Sequence, residues 1–166
     1  AMNSTTLAAL ADFPLRLEEH YAAVPTEFKH WRPDSWYGIP SESFTPIEQI
    51  CHVRDVEVDG YHVRFRRALE ESNPDLPDLD GESLAKKRNY AAANATDVFA
   101  ALRAARAQTL ELIAALTPRQ LARPVRFNGG SATMQSLVHY LCSHDQQHLA
   151  GMQWLLAKIE ALRVRA

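Results

Sequence analysis

The chain has 166 residues, a formal net charge of −2, 46% hydrophobic residues and 23% charged residues. This length and composition predict one globular domain over residues 1–166, and we expect Ala1 before Met2 to be a cloning scar. The small net charge and the scattered basic residues exclude nucleic acid and anionic membranes as general partners. The sequence has neither the ~20 consecutive apolar residues that span a bilayer nor a signal-peptide pattern. Two cysteines, Cys51 and Cys142, give no disulfide framework, so we expect a reducing, cytoplasmic location.

The first helical segment covers residues 5–23, where apolar residues recur at helical spacing. Pro14 lies inside it and implies either a kink or a helix that begins near Asp12. Residues 32–43 follow, and their Pro, Ser and Gly content predicts a loop.

A second helix begins at the capping box of Thr45 and Glu48 and extends to about residue 71. Its large apolar residues form one stripe, which consists of Ile47, Ile50, Cys51, Val58, Tyr61, Phe65 and Leu69.

The second half of the chain contains two more helices. The third begins at Ser83 or Asn89 and ends near Leu116, and the fourth covers residues 133–162. Between them, residues 126–133 read "RFNGGSAT" and predict a turn-rich loop. Because no segment shows the alternation of a strand, the sequence predicts an all-α, antiparallel four-helix bundle.

Two histidines, His144 and His148, lie one turn apart in the apolar stripe of the fourth helix. On a wheel of about 100° per residue, both fall within about 20° of the line through Leu137 and Leu155. A buried imidazole must satisfy its ring nitrogens or bear a desolvation cost. Side chains one turn apart have Cβ atoms roughly 5–6 Å apart, which suits two imidazole ligands of one divalent metal.

The spacing alone is weak evidence, because seven histidines in 166 residues give roughly 0.3 such pairs by chance. A metal also needs a ligand from elsewhere. His52 lies off the main stripe of the second helix, on a narrower line with Val56 and Gly60. Periodicity leaves open whether His52 faces inward or is a partly exposed helix residue. It also leaves open whether His144 and His148 bind a metal or are core histidines bonded to the backbone.

Two stretches, "FTPIEQICHVRDVE" at residues 44–57 and "HDQQHL" at residues 144–149, resemble the DinB/YfiT-like superfamily. The similarity continues through "WRPDSW" before the second helix and through the third helix, so it covers most of the chain. It implies a four-helix bundle, often a homodimer, with a divalent metal held by His52, His144 and His148. Family members are often seen with nickel or zinc, and zinc is our first expectation for an open, imidazole-rich site.

Three protein ligands leave an open coordination position, which is typical of catalytic zinc. A water there could act as nucleophile or base, or a substrate thiolate could bind directly. Relatives of this fold use low-molecular-weight thiols for isomerisation or S-transfer, so the resemblance implies a site more firmly than a reaction. We therefore expect a metal-dependent S-transferase or hydrolase that acts on an unknown small-molecule substrate. The alternative is a non-catalytic metal-binding or stress-associated bundle, which a fourth protein ligand would favour.

Three further residues are candidates for a role near the metal. Asp145 could orient an imidazole, but it falls off the stripe, and a solvated charge is the simpler interpretation. Arg106 lies among apolar residues of the third helix and could bind a substrate carboxylate, although such residues more often pair with a buried Glu or Asp. Trp36, in the loop before the second helix, could wall the mouth of a pocket or simply plug the core.

Overall fold

Four long helical segments form a bundle in the computed structural model, which describes residues 2–165. The first and the second long helices each pack against the third and the fourth. The long segments are α1 (Ser4–Ala23), α2 (Pro46–Asp55) continued by α3 (His62–Glu70), α5 (Ala95–Ala114) and α7 (Met134–Arg165). The short elements are two 3₁₀ turns (Thr26–Phe28 and Tyr90–Ala92), α4 (Gly81–Lys87), α6 (Pro118–Leu121), β1 (Asp75–Leu76), β2 (Pro124–Phe127) and β3 (Gly130–Thr133). The predicted four-helix bundle is confirmed, and no helix among residues 2–165 has the length and apolarity needed to cross a bilayer.

Pro14 lies inside α1, which runs without interruption from its first residue, so the alternative start near Asp12 is wrong. A proline has no N–H to donate to the carbonyl of Leu10 one turn earlier. Arg106 of α5 supplies the missing donor, because its Nη1 lies 2.7 Å from the Leu10 carbonyl oxygen. The proline is therefore tolerated in mid-helix through a hydrogen bond from another helix.

A π-helical segment, Val56–Tyr61, joins α2 to α3 in one continuous helix. A π turn holds an extra residue, which rotates the following residues by roughly 100° relative to a regular α-helix. The predicted apolar stripe assumed a regular helix, and it is wrong at Val58, which is 41% exposed, while Glu57 is buried. In a regular helix His52 and Arg64 would lie about 120° apart, whereas one extra residue reduces this angle to about 20°. The π segment thus places both residues on one face.

The predicted third helix is divided in two. Asn89 has a left-handed backbone with a φ of 48°, so α4 ends before it and a new helix must start further along. Asn94 provides that start, because its side chain accepts a hydrogen bond from the N–H of Asp97 and caps α5.

The predicted loop at residues 126–133 belongs to a β-hairpin, so the expectation of no strands is wrong. β2 pairs antiparallel with β3, and β1 pairs parallel with β2. Asn128 and Gly129 have φ values of 50° and 78°, the positive values that a two-residue hairpin turn requires. The Asn-Gly dipeptide was the available signal, but each strand has 4 residues and is too short to show alternation.

The apolar core consists of two clusters along the bundle. One includes Phe13 and Ile50, and the other includes Leu10, Phe65 and Leu137. Along the third and fourth long helices, the buried polar residues lie in sequence between positions that belong to these two clusters, and along the second they are interspersed with positions of both. This polar layer is where the candidate site forms.

Candidate metal centre

Three histidines converge from two helices. His52 projects from α2, and His144 and His148 project from α7. The ring centroids are 5.4 Å apart for His52 and His144, 4.9 Å for His52 and His148, and 4.5 Å for His144 and His148. The Nε2 atoms of His52 and His144 lie 3.4 Å apart. The structure therefore brings together the three predicted ligands, and His52 is buried rather than partly exposed.

Glu42 joins this cluster as a fourth donor. Its Oε1 lies 3.5 Å from Nε2 of His52, and its Oε2 lies 3.1 Å from Nε2 of His148. One ligand atom from each of the four residues lies within 4.8 Å of the others. Glu42 stands two residues before Phe44, whose ring packs on His52 with centroids 4.9 Å apart, and this contact holds the end of the loop against α2. Sequence reasoning missed Glu42, because loop residues have no periodicity from which orientation could be inferred.

A chain of side chains fixes the ring of His148. Its Nδ1 lies 2.7 Å from Oε1 of Gln49, an oxygen that can only accept, so Nδ1 carries the proton. Gln49 in turn donates its Nε2 to Oγ of Ser41 at 3.1 Å. Gly151 of α7 makes this possible, since a Cβ there would lie 2.1 Å from Ser41 Oγ.

The other ring nitrogen of His148 has no hydrogen-bond partner. Nε2 is buried, and although Glu42 Oε2 lies 3.1 Å away, the two groups do not form a hydrogen bond. With the proton on Nδ1, two acceptor atoms face each other in the interior. That contact is unfavourable unless a proton or a metal ion lies between them. The histidines and Glu42 therefore form a donor set that fits a divalent metal.

Gly81, the first residue of α4, lies directly against the cluster. A Cβ at this position would lie 2.9 Å from Cε1 of His52 and 3.4 Å from Phe44. Any larger residue would move the imidazole, so Gly81 sets the position of His52 through close packing.

The electrostatics keep two of the rings neutral and the carboxylate ionised. Burial lowers the pKa of His144 well below its usual value, and the neighbouring rings of His148 and His52 lower it further. Burial also lowers the pKa of His148, with a partly opposing effect of Glu42. Burial acts to raise the pKa of Glu42, whereas hydrogen bonds and charge attraction from protonated rings of His148 and His52 would hold it well below the usual range. Neutral imidazoles and an ionised carboxylate are the forms that bind a metal.

A cavity of about 480 Å³ opens beside the cluster, a volume in the range of small-molecule sites. Its lining includes Glu42, His52 and His144, together with residues of the π segment, α3, the loop before α4, the hairpin and α7. Trp36 is half-buried and does not line this cavity, so the proposed wall at the pocket mouth is not formed by that residue.

Arg106 and Asp145 belong to a separate buried cluster. Arg106 donates Nε and Nη2 to Glu57 at 2.8 and 2.9 Å, and Nη1 and Nη2 to Asp145 at 2.8 and 2.9 Å. Arg106 thus pairs with buried acids, as the second interpretation expected. The Arg106 side chain does not line the cavity. Asp145 is 0% exposed, so the solvated-charge interpretation is wrong. Its carboxylate bonds to Arg106 and not to an imidazole.

The fold and the cluster together define a helical bundle with a candidate metal centre of three histidines and one glutamate. The chain belongs to the DinB superfamily, whose family model matches residues 9–152. The resemblance drawn from the sequence motifs is confirmed.

Among solved structures, the chain is similar to one described as "YfiT from Bacillus subtilis is a probable metal-dependent hydrolase with an unusual four-helix bundle topology". The TM-score is 0.80 and the sequence identity 16%, over 96% of this chain and 91% of that one. Similarity at this identity establishes the fold. No curated protein matches the chain at a significant level of sequence similarity.

Proposed function

We propose that this chain is a metal-dependent hydrolase in which His52, His144 and His148 hold one divalent metal, with zinc as the first expectation. The observation that carries the proposal is the buried Nε2 of His148, which lacks a hydrogen-bond partner and faces the carboxylate of Glu42. Imidazole and carboxylate donors are ligands that zinc accepts. The description of the Bacillus subtilis protein as a probable metal-dependent hydrolase supports the same class.

Glu42 differs from the histidines in the way it is held. Its side chain is 44% exposed and comes from a loop, whereas the side chains of His52 and His148 are 5% and 0% exposed and come from helices. It is therefore the donor that can most easily leave the cluster. We assign it the role of proton acceptor for a hydrolytic water rather than that of a permanent fourth ligand. When bound, a divalent metal would supply Lewis acidity, which polarises a carbonyl and acidifies water.

The cavity supports an enzyme over a purely structural metal site. Glu42, His52 and His144 all contribute to its lining, so a small molecule that enters it meets the cluster directly. A structural site is closed by its ligands and needs no such access.

The first test is metal content by mass spectrometry on protein purified without a nickel column. Wild type and Glu42→Gln should retain roughly one divalent metal per chain, whereas His52→Ala and His148→Ala should lose it. His139→Ala is the matched control, because His139 is an exposed histidine on the same helix. Zinc-loaded wild type should hydrolyse members of a panel of chromogenic esters and amides, and Glu42→Gln should not.

Two results would contradict this scheme. If wild type cannot be loaded with zinc, nickel or manganese, the proposed metal site does not exist. Loss of the metal from Glu42→Gln to the same degree as from His148→Ala would make Glu42 a ligand. A site with four protein ligands favours the non-catalytic, metal-binding role.

A low-molecular-weight thiol is the other predicted occupant of the open position, as in a thiol-dependent S-transferase. Such a thiol would come from outside the chain, because Cys51 lies in one core cluster and Cys142 packs against the other. Cobalt-loaded protein gives a direct test, since a thiolate bound to cobalt adds an intense charge-transfer band. Appearance of that band with glutathione, and not with S-methylglutathione, would favour the S-transferase over the hydrolase.

A further inference from the structure

Arg64 is a buried cation on the wall of the cavity that adjoins the histidine cluster. It is 4% exposed and lines the same cavity as His52 and His144. It projects from α3 on the helix face that carries His52, because the π segment removes the angular offset that a regular helix would impose. The fold therefore directs an arginine and a metal-ligand candidate from one helix into one cavity.

The guanidinium of Arg64 is incompletely paired. Its Nη2 makes two long hydrogen bonds, 3.4 Å to the Pro77 carbonyl and 3.3 Å to Oδ1 of Asp78. Its Nε is buried without a partner, and its Nη1 makes no hydrogen bond to any other residue in the range 2–165. Nε is enclosed, whereas Nη1 keeps accessible surface and is the unused donor that a ligand in the cavity can reach.

Aromatic rings hold this guanidinium without occupying its donors. Its Cζ lies 4.7 Å from the ring centroid of Tyr61 and 4.8 Å from that of Phe127 in the hairpin. The plane of the guanidinium is thus fixed, which is the condition for bidentate recognition of an oxyanion.

Of the four acids in the cavity lining, three have partners, and the fourth, Glu82, is exposed. Asp80 accepts a hydrogen bond from the N–H of Ser83 at 3.0 Å and caps α4. Asp78 accepts one from the N–H of Leu79 at 3.0 Å and forms an ion pair with Nη2 of Arg64 at 3.3 Å, while Glu42 belongs to the histidine cluster. Arg64 is the one arginine or lysine among the lining residues of the described chain.

We propose that Arg64 binds an oxyanion group, carboxylate or phosphate, of the substrate whose reacting atoms lie at the histidine cluster. The position of the reacting atoms rests on the proposed function, whereas the anion contact does not. The substrates are then small acids, and Arg64 selects them over their neutral analogues.

Calorimetric titration tests this on metal-free and on zinc-loaded protein with three probes: succinate, its neutral diamide succinamide, and inorganic phosphate. Arg64→Met keeps an unbranched side chain between the two rings and removes the charge. Arg66→Met is the matched control, because Arg66 is exposed on the same helix. Wild type and Arg66→Met should bind one of the two anions more tightly than succinamide. Arg64→Met should raise the dissociation constant of that anion by at least about tenfold. The anion that binds more tightly identifies carboxylate or phosphate as the group recognised.

The proposal is overturned if neither anion binds wild type better than succinamide does, or if Arg64→Met binds the anion as well as Arg66→Met. If Arg64→Met does not fold, as judged by its circular dichroism melt, Asp78→Asn decides. Asp78 has a 71% exposed side chain and competes for Nη2, so its neutralisation should tighten anion binding, and unchanged or weaker binding would overturn the proposal. Anion binding by metal-free protein that depends on Arg64 would stand even if no metal were ever found, so the two proposals can fail separately.

Discussion

Two buried polar clusters lie between the apolar clusters of the bundle, and they differ in how completely their members are paired. In the Arg106 cluster, the guanidinium makes five hydrogen bonds, to Glu57, Asp145 and the Leu10 carbonyl. In the histidine cluster, Nε2 of His148 has no hydrogen-bond partner. Burial of titratable groups is common to both clusters, so burial alone does not mark a functional site. A functional site is marked instead by unused hydrogen-bonding capacity beside a cavity that opens to solvent.

The largest effect is expected from Arg106→Met, which breaks the satisfied cluster. It leaves Glu57 and Asp145 buried without their cation and the Leu10 carbonyl without a donor. Removal of one partner from a buried ion pair costs about 3–5 kcal/mol, so the free energy of unfolding, measured by urea denaturation, should fall by that amount. Arg103→Met is the matched control, because Arg103 pairs with Glu18 at the surface, and exposed pairs contribute at most about 1 kcal/mol.

The comparison would be broken if Arg106→Met retained full stability and lost metal instead. That result would make the Arg106 cluster part of the site.

Metal addition is expected to have the next largest effect, and only on the unsatisfied cluster. A ligand at about 100 times its dissociation constant stabilises the folded state by about 2.7 kcal/mol. Zinc should therefore raise the free energy of unfolding of wild type by about this amount, and a chelator should reverse it. His148→Ala should gain nothing from zinc, while His139→Ala should gain as much as wild type. Equal stabilisation of His148→Ala would place the bound zinc elsewhere.

The long helices could be predicted from the sequence because their signals are local. The capping box of Thr45 and Glu48 and the apolar periodicity of α7 each depend on residues within a few turns. The π segment could not be predicted, because an extra residue in a helix leaves no compositional mark and is tolerated through packing of Glu57 against α5. Because the extra residue was not foreseen, Val58 was wrongly assigned to the apolar stripe.

Much of the candidate site follows from the fourth-helix wheel and the family motifs, which together nominated His52, His144 and His148. Glu42 and Arg64 were not predicted. Glu42 lies on a loop, and the inward direction of Arg64 depends on the phase shift of the π segment. Asp145 was misjudged because the wheel measures the angle to one apolar stripe. α7 packs against several helices, so a residue at the edge of the stripe can still be fully buried.

Gly81→Ala tests whether close packing positions the histidine cluster. A Cβ at this position would lie 2.9 Å from the ring of His52, so the imidazole must shift. Displacement of the groups that orient a metal ligand typically costs 10–100-fold in affinity, and zinc affinity should fall by about that factor in competition with a chromogenic chelator. Gly130→Ala is the matched control, since its nearest contact is an ordinary 3.6 Å. Equal zinc affinities of Gly81→Ala and Gly130→Ala would show that the ring of His52 adapts freely.

The smallest predicted effect concerns the pH dependence of the satisfied cluster. Burial raises the pKa of Asp145 to about 7 from its ordinary 3.8, against the opposing effect of Arg106, since one guanidinium serves two acids. A carboxyl whose pKa is higher in the folded than in the unfolded chain stabilises the fold at low pH and loses that contribution as the pH rises through its folded pKa.

Asp145→Asn cannot ionise. Its free energy of unfolding relative to metal-free wild type should therefore rise by about 1 kcal/mol between about pH 6 and pH 8 in urea denaturation. The exposed control Asp34→Asn should show no such trend. If the stability of Asp145→Asn relative to wild type instead rises as the pH falls, Arg106 holds Asp145 ionised. The cluster would then consist of one cation and two anions, with a net negative charge in the core.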